Sequence, residues 1–232
     1  MKKIKVIIVD DERLARDEIK QALLSYPEIE VLGEAGNADD AKLLIEKNNP
    51  QLIFLDVQMP GASGFDLLEM LDNVPEVIFT TAFDQYAVKA FDTNALDYLV
   101  KPIREERFAK AMQKVKDRLS AEPVNQQIFI KDGNKCYFVY PADIYLIESL
   151  DNYAVLYFGS NKAFLKRSLN QLEDKLDPAM FFRINRAQII NTAFIAQVNR
   201  LPGGKLNIKL KTGQLLEVSD RQSVKFKTLN RL

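Results

Sequence analysis

The stretch LIFLDVQMPGASG, residues 52–64, carries an apolar run into a single carboxylate, Asp56, and then turns at Pro60 and Gly61. The run Leu52–Leu55 is typical of a buried strand. A carboxylate at the end of such a strand costs free energy unless cations or hydrogen bonds hold it. Residues elsewhere in the sequence are therefore expected to stabilise the Asp56 carboxylate.

Short apolar runs alternate with segments of helical periodicity on both sides of this stretch, as far as residue 119. Five strands, each followed by a helix, predict a doubly wound α/β domain with a five-stranded parallel sheet covered on both faces. The strands are predicted at Ile4–Val9, Ile29–Leu32, Leu52–Leu55, Val77–Thr80 and Leu96–Val100, and the helices at 13–25, 38–47, 64–71, 84–91 and 104–119.

In a fold of this kind, ligands bind at the carboxyl ends of the strands. The predicted strands end in carboxylates, hydroxyls and one ammonium group, at Asp10, Asp11, Asp56, Thr80, Thr81 and Lys101. Crowded carboxylates repel one another, and Mg²⁺, which prefers oxygen ligands, relieves that repulsion. One such aspartate is explained by a helix cap or a solvated loop, but the whole set favours a phosphoryl-transfer site with a carboxylate nucleophile.

Four motifs, in this order and spacing, resemble the receiver domain of two-component response regulators. They are VDDE at 9–12, LDVQMPGASG at 55–64, TTAF at 80–83 and LDYLVKP at 96–102. The resemblance covers about residues 1–120. It implies that Asp56 accepts a phosphoryl group from a histidine kinase and that Lys101 pairs with the phosphate. It also implies that Mg²⁺ is held by Asp10, Asp11, Asp56 and the backbone carbonyl of Gln58.

The same resemblance makes Thr81 the switch hydroxyl and Tyr98 the switch aromatic residue. Thr80 is the rival of Thr81, because strand alternation lets one of the two point into the site. Taken alone, Tyr98 is better explained as a strand residue that packs. The implied mechanism is a population shift: Thr81 moves toward the phosphate, Tyr98 swings inward, and the surface at about residues 84–118 becomes a homodimer interface. The family also suggests a cis bond at Lys101-Pro102.

The pattern changes after residue 119, which predicts three parts: a receiver at 1–119, a linker at 120–126 and a second domain at 127–232. Short runs rich in Ile, Val, Phe and Tyr predict mostly antiparallel β structure with a few short helices. The strands are predicted at 127–131, 135–139, 144–148, 153–157, 196–201, 205–211 and 215–218, a helix at 169–176, a mixed segment at 181–190 and a short helix from Asp220.

Charge is divided between the halves, with a net charge of −7 over residues 1–122 and +7 over residues 123–232. A basic half hints at a polyanionic partner, although composition alone fits an ordinary solvated β domain equally well. No helix-turn-helix pattern is present, so DNA contacts would come from loops and strand edges. The polar and basic candidates are Asn152, Tyr153, Lys166, Arg167, Arg183, Asn185, Arg186, Asn191 and Arg221.

A second resemblance bears on these candidates. DIYLIESLDNYAVLYF, FLKRSLNQLEDKL, FFRINRAQIIN and LEVSDRQ are similar to the LytTR-type DNA-binding domain, over about residues 126–232. The resemblance implies β-strands whose loops enter successive major grooves of double-stranded DNA. By position, Asn191, Arg221 and the loop at Asn152–Tyr153 match contacting residues. Asn185 stands where family members commonly carry His, so the base read there is open.

Composition excludes several other classes of protein. The chain has no His, so His-based catalysis and His-rich metal sites are excluded. Its single cysteine, Cys136, rules out an intrachain disulfide framework and disfavours zinc. The N-terminus does not fit a signal peptide and no segment is long enough to span a membrane, so we expect a soluble cytoplasmic protein.

We therefore predict a transcription regulator controlled by phosphorylation, and not an enzyme. Two alternatives stay open at this point. One is a phosphatase with a carboxylate nucleophile, whose basic half binds a phosphorylated substrate. The other is a receiver joined to a protein- or RNA-binding module.

Overall fold

The computed structural model describes residues 3–82, 95–119, 127–133 and 135–230. Contacts divide the chain into two compact units, Met1–Phe138 and Val139–Leu232. The predicted helix at 84–91 and the predicted linker at 120–126 lie outside the described residues.

The first unit is built on a five-stranded parallel sheet in the order β2-β1-β3-β4-β5. This order and the helices between the strands confirm the predicted doubly wound α/β fold. The strands are β1 at Ile4–Val9, β2 at Ile29–Ala35, β3 at Leu52–Asp56, β4 at Glu76–Thr81 and β5 at Asp97–Val100.

Alternating side chains of the strands supply two apolar layers, one on each face of this sheet. Ile53, Leu55 and Phe79 face one layer, and Phe54 and Ile78 face the other. The helices are α1 at Arg13–Leu23, α2 at Ala38–Asn48, α3 at Gly64–Met70 and α4 at Glu105–Leu119. The layer that contains Phe79 includes α2 and α3, whereas the other includes α1 and α4.

Local sequence signals set the ends of these helices. Asn37 caps α2 by accepting a hydrogen bond from the backbone N–H of Asp40 at 2.9 Å. At the other end, Asn49 follows the last helical residue as the C-cap, with a left-handed φ of 45°. Ser63 and Asp66 form a reciprocal capping box at the start of α3. This box fixes the chain where it returns from the loop after Asp56.

A β-hairpin follows the α/β sheet and belongs to the first unit as far as Phe138. It consists of β6 at Ile128–Asp132 and β7 at Lys135–Val139. The sequence places this hairpin at the start of the second domain, so the division by contacts falls later in the chain than the predicted linker.

The second unit contains two antiparallel sheets, in the orders β10-β9-β8-β12-β11 and β13-β14-β15. Their inner side chains, among them Leu146, Ile184 and Ile208, form one apolar cluster with Phe226 of the C-terminal helix. The strands are β8 at Ile144–Leu150, β9 at Tyr153–Phe158, β10 at Asn161–Leu165, β11 at Phe181–Asn185, β12 at Gln188–Asn191, β13 at Ile195–Arg200, β14 at Leu206–Leu210 and β15 at Leu215–Val218.

Two short helices complete this unit, α5 at Leu169–Glu173 and α6 at Asp220–Asn230. The predicted β character is therefore confirmed, and the segment predicted as mixed is resolved into β11 and β12. Strand β10 was not predicted. Within the described part of the chain, no helix has the length and apolar character needed to cross a bilayer.

Candidate phosphoacceptor site and nucleic-acid interface

Three carboxylates meet at the carboxyl edge of the parallel sheet. Asp10 and Asp11 follow β1, and Asp56 ends β3, which pairs with β1 in the sheet. One oxygen from each of the three lies within 4.8 Å of the others. Asp10 and Asp56 are buried, whereas Asp11 is exposed. The sheet thus brings Asp56 together with residues 45 and 46 positions earlier in the sequence, as predicted from the strand ends.

Lys101 is the cation that this cluster holds. Its Nζ lies 2.7 Å from Asp10 Oδ2, 3.2 Å from Asp56 Oδ2 and 3.7 Å from Glu12 Oε2. Burial alone would lower the pKa of Lys101, but attraction to Asp10 and Asp56 outweighs burial and raises that pKa above its ordinary value. Lys101 follows β5 and is joined to Pro102 by a cis peptide bond, in agreement with the sequence expectation.

The surroundings of Asp56 disfavour its ionised form, even though Lys101 contacts it. Burial and then repulsion from Asp10 raise the pKa of Asp56, and they outweigh the hydrogen bond from the Gln58 N–H and the attraction of Lys101. That N–H donates to Asp56 Oδ1 at 3.2 Å. A carboxylate in this position is stabilised by a second cation.

The donor set fits Mg²⁺. Hard divalent cations take oxygen ligands, and Mg²⁺ keeps several waters, so a few protein oxygens suffice. Asp10, Asp11 and Asp56 supply such oxygens within 4.8 Å of one another, one of them at the exposed rim where waters have access.

The threonines at the end of β4 lie on opposite faces of the sheet. Thr80 pairs in register with Asp56, and its buried Oγ1 has no hydrogen-bond partner among the described residues. Thr81 follows Phe79 by two positions and so shares the face on which Phe79 stacks with Tyr98, at 5.3 Å between ring centroids. Thr81 and Tyr98 therefore lie on the same face of the sheet, and Thr80 lies on the other face.

In the second unit, strand register brings most of the predicted DNA-contacting residues to one end of the five-stranded sheet. Gln188 pairs with Glu148, so the β11–β12 turn lies beside the β8–β9 turn, and the Ser149 N–H donates to the Ala187 carbonyl at 2.8 Å. Leu165, the last residue of β10, pairs with Ala154 at the start of β9. The residues gathered at this end are Asn152, Tyr153, Lys166, Arg167, Asn185 and Arg186.

The start of α6 joins the same end of the sheet. The Asn185 side chain donates to the Glu217 carbonyl at 3.0 Å, and the Ser219 N–H donates to the Ile184 carbonyl at 3.0 Å. A groove of about 700 Å³ opens here. It is lined by Glu173, Arg183, Asn185, Arg186, Ala187, Ser219, Arg221, Gln222 and Lys225.

Lys225 was missed by the sequence analysis. It lies four residues after Arg221 on α6, and residues at this spacing share one face of a helix. Helical spacing from Arg221 was the signal that could have found it. Glu12, which contacts Lys101, was also missed, although it belongs to the VDDE motif.

Two of the predicted contact residues have structural roles in this arrangement. Asn191 is fully buried at the opposite end of β12, where its side chain accepts a hydrogen bond from the Ala193 N–H at 2.9 Å. Its burial argues against the predicted DNA contact. Arg183 is held by Glu173 at 2.7 Å and by the carbonyls of Asn185 and Arg186. It therefore supports the β11–β12 turn.

Comparison with known proteins matches both units to families. A family model described as the response regulator receiver domain matches residues 6–113, and one described as the LytTr DNA-binding domain matches residues 134–230. A sensory transduction protein LytT from Enterococcus faecalis is 32% identical over 234 residues, which cover 96% of this chain and 97% of that protein. The chain belongs to the LytTR family of response regulators.

A second relative and one solved structure are also similar to this chain. The transcriptional regulatory protein BtsR of Salmonella typhi is 34% identical over 230 residues, covering 94% of this chain and 95% of BtsR. The response regulatory domain of mrkE from Klebsiella pneumoniae is 31% identical, with a TM-score of 0.46, and covers 51% of this chain and 99% of that domain. The two family models and the curated relatives show that the chain is a two-component response regulator with a receiver domain and a LytTR DNA-binding domain.

Proposed function

We propose that the protein is activated by phosphorylation of Asp56 and that this controls its binding to double-stranded DNA. The observation that carries the proposal is that Asp56 contacts Lys101 at 3.2 Å and lies within 4.8 Å of oxygens of Asp10 and Asp11, at one edge of the sheet. In the reaction, an Asp56 carboxylate oxygen forms a bond to phosphorus. The bond from phosphorus to the donor breaks, and its electron pair leaves with the donor group, which is a histidine kinase or a small phosphodonor.

Each neighbour of Asp56 has a distinct part in this reaction. Lys101 attracts the phosphoryl oxygens as a point charge. Mg²⁺, held by Asp10, Asp11, Asp56 and the Gln58 carbonyl, would neutralise charge on the transferred group. Because burial and Asp10 raise the pKa of Asp56, a cation at this edge also keeps Asp56 ionised and nucleophilic.

Labelling with a small radioactive phosphodonor and Mg²⁺ tests this assignment. Wild-type protein should take up about one phosphoryl group per chain, and Asp56→Asn should take up none, since an amide is a poor nucleophile. Asp39→Asn, which changes an exposed carboxylate in the first turn of α2, is the matched control and should label normally. Labelling that persists in Asp56→Asn would contradict the assignment, and turnover of phosphoester in large excess over protein would favour the phosphatase alternative.

The output face is the end of the second unit that carries Asn152, Tyr153, Lys166, Arg167, Asn185, Arg186 and Arg221. Loops and a helix start meet there, and the groove beside them is lined by several cations. Arg and Lys neutralise phosphates, while Arg and Asn can also read base edges. If this face binds RNA or protein in preference to duplex DNA, the alternative of a receiver joined to a protein- or RNA-binding module would be supported instead.

Signalling between the two sites is proposed to follow the receiver pattern. Phosphorylation draws Thr81 toward Asp56, Tyr98 moves with it, and the receiver surface around β5 and α4 becomes a homodimer interface. Sedimentation with and without phosphodonor measures this step, and a mass that does not change would contradict it.

Since its DNA target lies in the cytoplasm, we place the protein there. We also retain residues 1–119, 120–126 and 127–232 as the receiver, linker and LytTR module.

A further inference from the structure

The hairpin β6–β7 covers apolar side chains of the receiver sheet. Phe129 and Phe138 lie in one buried cluster with Phe65 of α3 and Phe79 of β4. Ring centroids are 6.3 Å apart for Phe65 and Phe129, and 6.4 Å apart for Phe79 and Phe138. Cys136, on the same hairpin, is fully buried in this cluster. The first strands of the LytTR module therefore complete the core of the receiver unit.

Polar contacts fix the position of this hairpin on the receiver unit. Val74 and Gln127 exchange two backbone hydrogen bonds, of 2.8 and 3.0 Å. Lys131 Nζ lies 3.3 Å from Asp66 Oδ1 and 3.7 Å from Glu69 Oε2, at the α3 side of the hairpin. These directional contacts specify one docked position, which apolar burial alone would not do.

Tyr98 packs against the same buried cluster that Phe129, Cys136 and Phe138 of the hairpin join. Its ring stacks on Phe79 and contacts the cluster that contains Cys136 and Phe138. Burial, followed by the neighbouring Cys136 and Asp97, raises the pKa of Tyr98. Its hydroxyl is buried and has no hydrogen-bond partner in the part of the chain that the structure describes. A buried hydroxyl without a partner among the described residues costs free energy, so this position of Tyr98 is less stable than one in which the hydroxyl is hydrogen-bonded.

We propose that the hairpin undocks reversibly and that the position of Tyr98 controls how tightly it is docked. The receiver sheet and the LytTR module would then be coupled through β7, which is the chain that runs from the docked cluster into the second unit. Coupling of this kind is reciprocal, so whatever moves Tyr98 changes docking by the same factor as docking changes the position of Tyr98. The phosphorylation arm of the test below rests on the proposed function, and the other arms do not.

Cys136 reports undocking directly in the full-length chain. It is the only cysteine in the sequence, it is fully buried in the docked state, and burial raises the pKa of its thiol to about 11. A thiol reagent should therefore label it slowly, and any change that favours undocking should speed labelling. Undocking exposes less surface than global unfolding, so the labelling rate should depend only weakly on urea.

Charge reversal on the hairpin tests docking. Lys131→Glu places a third carboxylate beside Asp66 and Glu69 and should speed labelling about fivefold. Lys135→Glu makes the same change at an exposed position of the hairpin and should label at the wild-type rate. Adding Glu69→Lys to Lys131→Glu should restore slow labelling. Equal rates in the Lys131 and Lys135 variants, or a urea dependence equal to that of global unfolding, would overturn reversible docking.

Variants of Tyr98 test the coupling without any phosphoryl group. Tyr98→Phe removes the unpaired hydroxyl and should slow labelling of Cys136 about threefold, whereas Tyr98→Ala removes packing and should speed it. Labelling rates that are unchanged in both variants would overturn the coupling to Tyr98.

Beryllofluoride with Mg²⁺, a phosphoryl mimic, supplies the last arm. It should change the labelling rate in wild type and leave the rate of Tyr98→Ala unchanged. Its binding is measured separately by the shift in the thermal midpoint. Failure to bind would count against the proposed function, and the Tyr98 variants would still decide the inference. Binding without a change in the labelling rate of wild type would overturn the coupling while leaving the proposed function intact.

Discussion

Gly64, the first residue of α3, lies directly against the end of β3. A Cβ at this position would lie 2.3 Å from the backbone oxygen of Asp56 and 3.0 Å from Leu55 Cγ. The first distance is too short for any Cβ, and its neighbour is backbone, which cannot rotate away, whereas the second is a tight contact that the Leu55 side chain would have to relieve. Glycine is therefore required here because α3 packs directly on the end of β3.

Gly64→Ala should displace Asp56 or α3 and so affect both stability and phosphorylation. We expect a loss of about 1–3 kcal/mol in the free energy of unfolding, as for other overpacked sites, together with slower labelling by a small phosphodonor. Gly36→Ala is the control, since its Cβ would meet its neighbours at ordinary distances of 3.6 and 4.0 Å. Urea denaturation and labelling of both variants give the answer, and two variants that behave alike would contradict this account of Gly64.

Asp97 is a buried carboxylate whose partners make its contribution to stability depend on pH. It is 5% exposed, and it accepts hydrogen bonds from Arg107 at 2.7 Å and Lys114 at 3.0 Å. Burial alone would raise the pKa of Asp97, but the hydrogen bonds from Arg107 and Lys114 outweigh it, and the pKa is lowered. A lowered folded-state pKa means that ionised Asp97 stabilises the fold above about pH 4, the ordinary range of an aspartate.

Arg107→Ala should therefore destabilise the receiver unit in a pH-dependent way. At pH 7 we expect a loss of about 1–3 kcal/mol, because a buried carboxylate loses its main partner. As the pH falls through the lowered pKa of Asp97, wild type loses this stabilisation, and the two proteins should converge. Lys114→Ala, which removes the more exposed partner, should cost less. A difference between wild type and Arg107→Ala that stays constant from pH 7 to pH 3 would refute the assignment.

At the scale of elements, the strands of the parallel sheet could be predicted closely because their apolar runs are continuous and buried on both faces. Strand β2 extends to Ala35, past the predicted end at Leu32, because pairing with β1 continues through residues that are not apolar. Strand β10 was missed for the same reason, since Asn161 and Lys162 give little β signal and pairing with β9 decides. Local apolar patterns predict which residues are buried, whereas the tertiary structure determines which strands pair and how far the pairing extends.

One helix in each unit begins with the same capping motif, so the stability of the two units can be tested with matched variants. Ser63 starts α3 and Ser168 starts α5, each with a capping box. Ser63→Ala should destabilise the first unit by about 1 kcal/mol, and Ser168→Ala should destabilise the second unit by a similar amount. Hydrogen exchange resolved by segment measures each loss. Equal loosening of both units by either variant would show that the two units do not unfold separately.

At the scale of the whole molecule, the division of charge found in the sequence corresponds to a division of sites. The acidic half holds a site that needs cations, and the basic half carries the groove that contains Arg186, Arg221 and Lys225. The residue types at strand ends predicted that Asp10, Asp11, Asp56 and Lys101 converge, because parallel strands bring their carboxyl ends together. The second site was predicted less completely. Asn191 resembles a contact residue in sequence, but it is buried where β12 ends and caps the short 3₁₀ helix at Thr192–Phe194, which no local pattern reveals.

Salt dependence of DNA binding tests the basic groove. If Arg221 and Lys225 contact phosphates, replacing either by Ala should reduce the slope of log K against log salt by about 1 for non-specific duplex DNA. Lys211→Ala is the control, because Lys211 is exposed at the opposite end of the second unit, where its N–H donates to the Phe194 carbonyl. Identical slopes for all three variants and wild type would remove the groove from the interface.

The hairpin position has a practical consequence for anyone who divides this chain into fragments. The two family matches end at residue 113 and begin at residue 134, so a fragment cut at either limit lacks strand β6. The isolated receiver would present Phe65 and Phe79 to water without Phe129 and Phe138, which favours self-association. Expression trials should therefore carry the receiver through residue 138, and poor solubility of a shorter fragment would reflect where it was cut rather than any fault in the receiver fold.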